Sequence, residues 1–252
     1  MKFARGVGRL ALRSVYPQIC PVCDRVLDGD VVDFYSSSLK PVPAFVCPEC
    51  AGRLPESDNV CEVCGKAIFD TALSRCAACE KGERLFDGGR ILWKYKDDIK
   101  EMLYRLKYDD RRDIAQFIGA AISEKYITWM REHGIEAIIP VPMHEKRLRE
   151  RGYNQAELIA LEISRLTGIP MEARLVVRER RTKPLKDMTA AERKNNLKNA
   201  FKIDQNIVNW NSILLVDDIY TTGSTVEAIS GLLKKHGVSK VYFMAAASRE
   251  DI

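Results

Sequence analysis

The period of the apolar positions changes several times along the chain, and each change predicts an element. The first nineteen residues carry Phe3, Val7, Leu10 and Val15 at near-helical spacing, with Lys2, Arg5, Arg9 and Arg13 among them. That pattern predicts a short amphipathic helix. No helical period recurs until after the last cysteine; from Arg90 onward strand and helix signals alternate. Arg90 to Tyr95 reads as a strand, and Ile99, Met102, Leu103 and Leu106 mark one face of a helix. Ile114, Phe117, Ile118, Ala121 and Ile122 predict a second helix. Ile135 to Val141, interrupted at Pro140 and stopped by Pro142, reads as a buried strand. Ala156, Ile159, Ala160 and Ile163 predict a third helix, closed by Gly168 and Pro170.

Further along, Leu175 to Val177 reads as a short strand, and Thr189 with Glu192 has capping-box spacing for a polar helix. Ser212 to Val216 is a strong buried strand. Ser224 with Glu227 has the spacing to cap a helix carrying Val226, Ile229, Leu232 and Leu233, ending at Gly237. Val238 to Ala245 is the last strand. Strands that alternate with helices predict an α/β fold, a mostly parallel sheet flanked by helices on both faces.

Composition fits this picture. A chain of 252 residues with 46% hydrophobic and 30% charged content is that of a soluble globular protein and has room for two ordinary domains. Turn residues at Lys81-Gly82-Glu83 and Asp87-Gly88-Gly89 place the boundary so that 1–85 and 86–252 are separate units. No apolar run approaches the roughly 18 residues needed to span a bilayer, so no membrane insertion is expected. The N-terminal charges interrupt the apolar centre that a signal peptide requires, and the expected location is the cytoplasm. Charge is unevenly placed. Residues 141 to 200 hold 14 Lys plus Arg against 8 Asp plus Glu, a balance of 14 − 8 = +6, whereas the whole chain sums to +5. One segment therefore carries the positive field, which suits a phosphate-rich ligand. The alternative is a solvated basic face.

Eight cysteines fall in four pairs: Cys20-Pro-Val-Cys23, Cys47-Pro-Glu-Cys50, Cys61-Glu-Val-Cys64 and Cys76-Ala-Ala-Cys79. Two residues between thiolates let a tight turn aim both sulfurs at one ion, and two pairs complete a closed tetrahedral shell. Four pairs thus predict two structural Zn²⁺ ions with no open position for a substrate. The simplest grouping is 20, 23, 47, 50 and 61, 64, 76, 79; an interleaved grouping is equally compatible with the spacing. The module has few large apolar residues, so metal binding is expected to supply most of its folding free energy.

The stretch from Ile213 to Thr225 holds the richest chemistry: an apolar strand, then Asp217 and Asp218, then Thr221, Thr222, Gly223, Ser224 and Thr225 opening a helix. Free N–H groups at a helix start and loop hydroxyls suit a phosphate monoester, and Gly223 lets backbone approach it closely. Adjacent carboxylates suit ribose hydroxyls or a hydrated Mg²⁺. After the strand at 135–141 comes a cluster of His144, Lys146, Arg147, Arg149 and Arg151, read as a loop beside the phosphate-loop strand. Ligands in open parallel sheets bind beyond the carboxyl ends of the strands. His144 reads equally as a phosphate donor or as a capped surface residue, and Asn154 and Gln155 as residues that fix the loop.

The 213–225 run resembles the thirteen-residue signature of type I phosphoribosyltransferases, which bind 5-phosphoribosyl 1-diphosphate (PRPP). The resemblance implies that Asp217 and Asp218 hold the ribose hydroxyls, that Thr221 to Thr225 wrap the 5′-phosphate, that Met143 to Arg147 take the diphosphate, and that Mg²⁺ accompanies PRPP. More narrowly, the chain resembles the ComF family of ComFC-type competence proteins. The matches are the Cys-x-x-Cys module, Leu106-Lys107-Tyr108, Pro140 to Glu157, Arg181-Thr182-Lys183-Pro184, Glu192-Arg193 to Asn196, Ala200-Phe201 and the phosphate loop. Leu185 stands where that family is expected to have Gln. The resemblance implies a zinc-ribbon module followed by a type I phosphoribosyltransferase-like domain, PRPP and single-stranded DNA as ligands, a ComFA-type helicase as partner, and a role in DNA uptake. An active phosphoribosyltransferase of nucleotide or nucleobase metabolism and a PRPP-responsive regulator or scaffold stay open beside it; no residue pattern names an acceptor.

Overall fold

The computed structural model describes residues 18–27, 32–33, 45–55, 59–82, 84–179, 200–204 and 210–249. The amphipathic stretch at 3–15, the run at 181–185 and the polar helix at 189–192 lie outside these residues.

Strand β1 (Val32–Asp33) pairs antiparallel with β2 (Phe45–Val46), and two single-turn helices follow, α1 (Pro48–Ala51) and α2 (Ala77–Glu80). The alternating part of the chain begins with β3 (Gly88–Lys94), α3 (Asp97–Tyr108), α4 (Asp113–Glu132) and β4 (Ala137–Pro140). Helices α5 (Glu145–Arg151) and α6 (Gln155–Thr167) lead to a small hairpin of β5 (Val176–Arg178) with β6 (Phe201–Ile203). The chain closes with β7 (Ser212–Tyr220), α7 (Ser224–Lys235) and β8 (Lys240–Ser248).

Four strands form one parallel sheet in the order β3-β8-β7-β4. Successive side chains of a strand point to opposite faces, and β7 shows it. Leu214 and Val216 join a core with α3, α4 and α6, built on Met102, Phe117 and Ile163. Ile213 and Leu215 join another with α7 and the hairpin, built on Ile229, Leu233 and Phe201. A strand buried on both faces has no polar side to alternate with, hence the continuous apolar runs.

The cysteine groups divide between those two faces. Cys20, Cys47 and Cys50 pack with the α3–α4 core, while Cys61, Cys64, Cys76 and Cys79 pack with the α7 core. The second group also extends the sheet edge, since Gly89 donates its N–H to the Val63 carbonyl at 2.8 Å. Gly65 is required there: its φ is +71° and a Cβ would meet the β3 backbone at 2.8 Å.

Three expectations change. β7 does not stop at Val216; it pairs with β8 through Asp217↔Ala245 and on to Tyr220↔Ser248. The acids therefore sit inside a strand, because the small residues of β8 continue the ladder beneath them. The basic residues after β4 are not in a loop but on α5, whose seven residues hold Lys146, Arg147, Arg149 and Arg151. Finally, Ser224 does not cap α7. Gly223 does, in the left-handed region.

Candidate functional site

Strands β4 and β7 lie side by side from Ala137↔Ile213 to Pro140↔Val216. Helix α6, which follows β4 by way of the short α5, packs mainly on one face of the sheet and α7, after β7, on the other. Such a divergence opens a crevice at the carboxyl ends of the two strands. The proline pair helps, because Pro142 follows a last ladder bond from Val141 N–H to the Val216 carbonyl at 2.8 Å, and β4 continues no further along β7.

Asp217 and Asp218 stand at this crevice. Asp218 is 8% exposed. Its Oδ2 accepts from Lys107 Nζ at 2.6 Å and from Gln155 Nε2 at 3.0 Å, and its Oδ1 accepts from the Ile219 N–H at 2.9 Å. Asp217 Oδ1 accepts from the Asp218 N–H at 2.8 Å. Asp218 is buried and Asp217 half-buried, and two adjacent carboxylates so placed cannot both ionise cheaply, so their affinities for the proton diverge. Burial and the charge of Asp218 push Asp217 well above the ordinary carboxylate range. Burial also acts against Asp218, but the charge and hydrogen bond of Lys107, with the bond from Gln155, outweigh it and hold this group below that range. The pair is thus half-neutralised by a lysine from α3, and it is not the exposed strand end the sequence implied.

Beyond Asp218 opens a cavity of about 440 Å³ lined by Lys107, Tyr108, Met143, Arg147, Arg151 and Gln155, among others. Local chemistry fixes its walls. His144 caps α5, its Nδ1 accepting from the Lys146 N–H at 3.1 Å. Gly152 ends α5 in the left-handed conformation, and Asn154 starts α6 by accepting from the Ala156 N–H at 3.1 Å while donating to the Val141 carbonyl at 3.0 Å. Asn154 and Gln155 therefore do fix the turn, and Gln155 additionally reaches the acid. Arg178, from the hairpin, is held below its ordinary range by burial and by the nearby Arg147, with Asp217 acting the other way.

The hydroxyl-rich turn lies at the other side of the acids. Thr221 and Thr222 are exposed, Gly223 is buried, and Ser224 and Thr225 are partly covered. Thr222 Oγ1 and Ser224 Oγ are 2.8 Å apart. Gly223 has φ +79°, and a Cβ would lie 2.4 Å from the Tyr220 hydroxyl oxygen. Gly223→Ala should therefore lower the melting temperature by several degrees, as a strain of about 1–2 kcal/mol does, and displace the turn. A thermal melt indistinguishable from the parent would contradict this geometry. Glu227 does not reach back to the turn as a capping box would; it accepts from Arg84 at 3.2 Å and from the Leu85 N–H at 2.9 Å.

The cysteines form two closed groups, Cys20-Cys23-Cys47-Cys50 and Cys61-Cys64-Cys76-Cys79, with the four sulfurs of each within 4.8 Å of one another. The interleaved grouping is excluded. Thiolates about 2.3 Å from a tetrahedral ion stand about 3.8 Å apart, and Cys23–Cys47 and Cys64–Cys76 are separated by 3.8 and 3.7 Å. The donor set fits a structural metal in each group. Each is tied to the sheet domain by arginine. Buried Arg105 of α3 pairs with Asp24 and donates to the Val22 carbonyl, and Arg111 also holds Asp24. On the opposite face Arg84 links the region after α2 to Glu227 of α7.

Comparison with known proteins agrees with this arrangement. The phosphoribosyl transferase domain family matches residues 156–251. "Competence protein F" of Haemophilus influenzae is 32% identical over 219 residues, which cover 78% of this chain and 94% of the relative. The chain belongs to the ComF family. "Competence protein ComFC" of Bacillus subtilis is 28% identical over 236 residues, 89% of this chain and 92% of its own. "DNA utilization protein YhgH" of Escherichia coli K12 is 28% identical over 199 residues, 78% and 87% of the two chains. This ComF chain has the type I phosphoribosyltransferase-like α/β fold, with the cysteine module at its N-terminal side. Among the described residues no helix is long and apolar enough to cross a membrane.

The structure thus brings Asp218 and the arginines Arg147 and Arg151 to one cavity, with Asp217 beside Asp218 and Thr221 to Thr225 following β7 in the chain. Lys146 and Arg149 point elsewhere, engaging Glu150 and Glu145 along exposed α5 at 3.8 and 3.6 Å. Sequence reasoning placed Leu106-Lys107-Tyr108 among the family matches but gave Lys107 no role at the site, and it missed the reach of Gln155 and Arg178. Lys107 shares the last turn of α3 with Arg105, and no local period tells which of the two cations reaches an acid.

Proposed function

We propose that this ComF chain acts in DNA uptake, binding PRPP in the β4–β7 crevice and single-stranded DNA on the basic surface beside it. The observation that carries the reading is the crevice itself: an acid pair in β7, one member bonded to Lys107, followed in the chain by a hydroxyl-rich turn and facing a cavity that Arg147 and Arg151 line together with Asp110 and Glu150. Relatives named for competence and for DNA utilization support the cellular role. In this reading Asp217 and Asp218 hold the ribose hydroxyls, and Thr221, Thr222, Gly223, Ser224 and Thr225 wrap the 5′-phosphate. Met143 to Arg147 take the diphosphate, together with Mg²⁺ brought by that ligand. Each cysteine group holds a Zn²⁺. Residues 1–85 form the metal-dependent module and 86–252 the PRPP-binding domain, working in the cytoplasm with a ComFA-type helicase.

DNA contact is read from charge. The segment at 141–200 carries the positive balance, and α5 brings Arg147 and Arg151 to the cavity while Lys146 and Arg149 lie on its exposed face. Binding through phosphates is sequence-independent and falls with salt, each neutralised phosphate of a single strand contributing roughly 0.7 to the log–log slope. Changing Arg147, Arg149 and Arg151 together to Ala should lower both the affinity and that slope, by about 2 for three lost contacts. A triple variant that binds oligonucleotides with the parent's affinity and slope would reduce the surface to a solvated face.

A further inference from the structure

Proteins that hold a single strand combine cations for its phosphates with aromatic rings on which its bases stack. The basic segment at 141–200 contains one Phe, Trp or Tyr, which is Tyr153. That ring is buried, and its hydroxyl donates to the Leu106 carbonyl. The open rings beside α5 come from a different part of the chain, the end of α3.

Helix α3 buries Ile99, Met102, Leu103 and Leu106. Tyr104 and Tyr108, four positions apart, lie on its outer side, 53% and 64% exposed. The side of a surface helix turned to water ordinarily carries polar residues. The two rings touch, with centroids 4.7 Å apart and planes inclined by 43°. A pair at this spacing also steadies a helix on its own, so the rings alone decide nothing. Their neighbours do. The Arg151 guanidinium stands 5.2 Å from the centroid of Tyr108, and Tyr108 lines the same cavity as Arg147 and Arg151.

The acids of that cavity are already engaged. Asp110 meets Arg112 at 2.7 Å, Glu150 meets Lys146 at 3.8 Å and Asp218 meets Lys107 at 2.6 Å. Among the described residues, Arg147 and Arg151 meet no carboxylate at ion-pair distance. Open rings therefore lie next to cations free to take phosphate. A single strand offers that combination at every nucleotide, whereas a duplex keeps its base faces covered.

We propose that Tyr104 and Tyr108 form a stacking step for the bases of single-stranded DNA whose phosphates lie along Arg147 and Arg151. The inference rests on the reading of α5 as a DNA surface, and it adds a part of the affinity that phosphates do not supply. Every base has a stacking face, so binding stays independent of sequence.

The test is fluorescence anisotropy on the full chain, with labelled oligothymidylate and with an abasic strand of equal length that carries the same phosphates. The parent should bind oligothymidylate at least about fivefold more tightly, the effect of one stacked base. Tyr104→Leu/Tyr108→Leu keeps the apolar bulk without the rings and should bring that ratio within about twofold. The salt slope, set by phosphates, should stay that of the parent. Tyr104→Phe/Tyr108→Phe keeps the rings and should keep the ratio. If the Leu variant does not fold, Tyr104→Gln/Tyr108→Gln replaces it. Equal binding of the two strands by the parent, or an undiminished ratio in the ring-less variant, would overturn the stacking step and leave the phosphate surface standing. Tyrosine-dependent binding of thymidine alone, with no difference between the strands, would give the rings to a free base and equally overturn the proposal. Binding of neither strand by the parent would overturn both readings.

Discussion

Cys64→Ser should leave the chain with one zinc ion where the parent holds two, and should unfold residues 61–79 while the group at Cys20 to Cys50 keeps its metal. Each group of four sulfurs is closed on itself and shares no ligand with the other, so losing a cysteine in one does not touch the other. Structural zinc contributes about 10–16 kcal/mol of apparent binding free energy at neutral pH, which is as large as the whole stability of an ordinary domain. A segment that packs so few large apolar residues has no other comparable source. The damage should also spread in a defined direction. Gly89 would lose the Val63 carbonyl that extends the sheet, and Arg84, anchored on Glu227 of α7 at 3.2 Å, would lose its support from the region after α2. Hydrogen exchange should therefore rise at β3 and at the start of α7, but not in α3. Elemental analysis that finds free thiols and no zinc in the parent would contradict the whole metal reading, and an intact 61–79 segment in the variant would contradict its structural role.

Much of the fold was legible because burial on two faces imposes long apolar runs and helices impose their own period. Ile213 to Val216, the α3 stripe at Ile99 to Leu106 and the Gly168 stop of α6 all stand where those periods put them. The cysteine groups were legible as two sites but not in their pairing, since the spacing within a pair says nothing about which pairs meet. What hid was long-range. Lys107 and Asp218 are 111 positions apart in the chain and 2.6 Å apart in space, and only the crossing of α3 over the end of β7 joins them. The extent of β7 hid for a related reason: acids read as a strand end, whereas the ladder to Ala245 and Ala247 carries the strand past them. Helix α5 was read as loop because its seven residues expose no apolar face to give a period, and its caps, His144 and Gly152, were the only local signal.

The acid pair is where the account is most exposed. Replacing Asp217 and Asp218 by Ala removes the acceptors that a ribose would use. A hydrogen bond to the charged Asp218 contributes about 1.5–3 kcal/mol and one to Asp217, pushed toward its neutral form, about 0.5–1.5 kcal/mol, so losing both should weaken PRPP binding by at least about 30-fold. The same change leaves Lys107 without its partner. Breaking a buried pair costs about 3–5 kcal/mol, less here because the Lys107 side chain keeps 19% of its exposure, so the variant should melt a few degrees lower yet stay folded. Circular dichroism settles that point before any ligand is added. The decisive measurement is a calorimetric titration of PRPP with Mg²⁺ into the parent and into this double variant. One saturable site per chain in the parent, lost or weakened at least about 30-fold in the folded variant, is the expected result. Saturable PRPP binding of equal strength in both proteins, or none in either, would contradict the account.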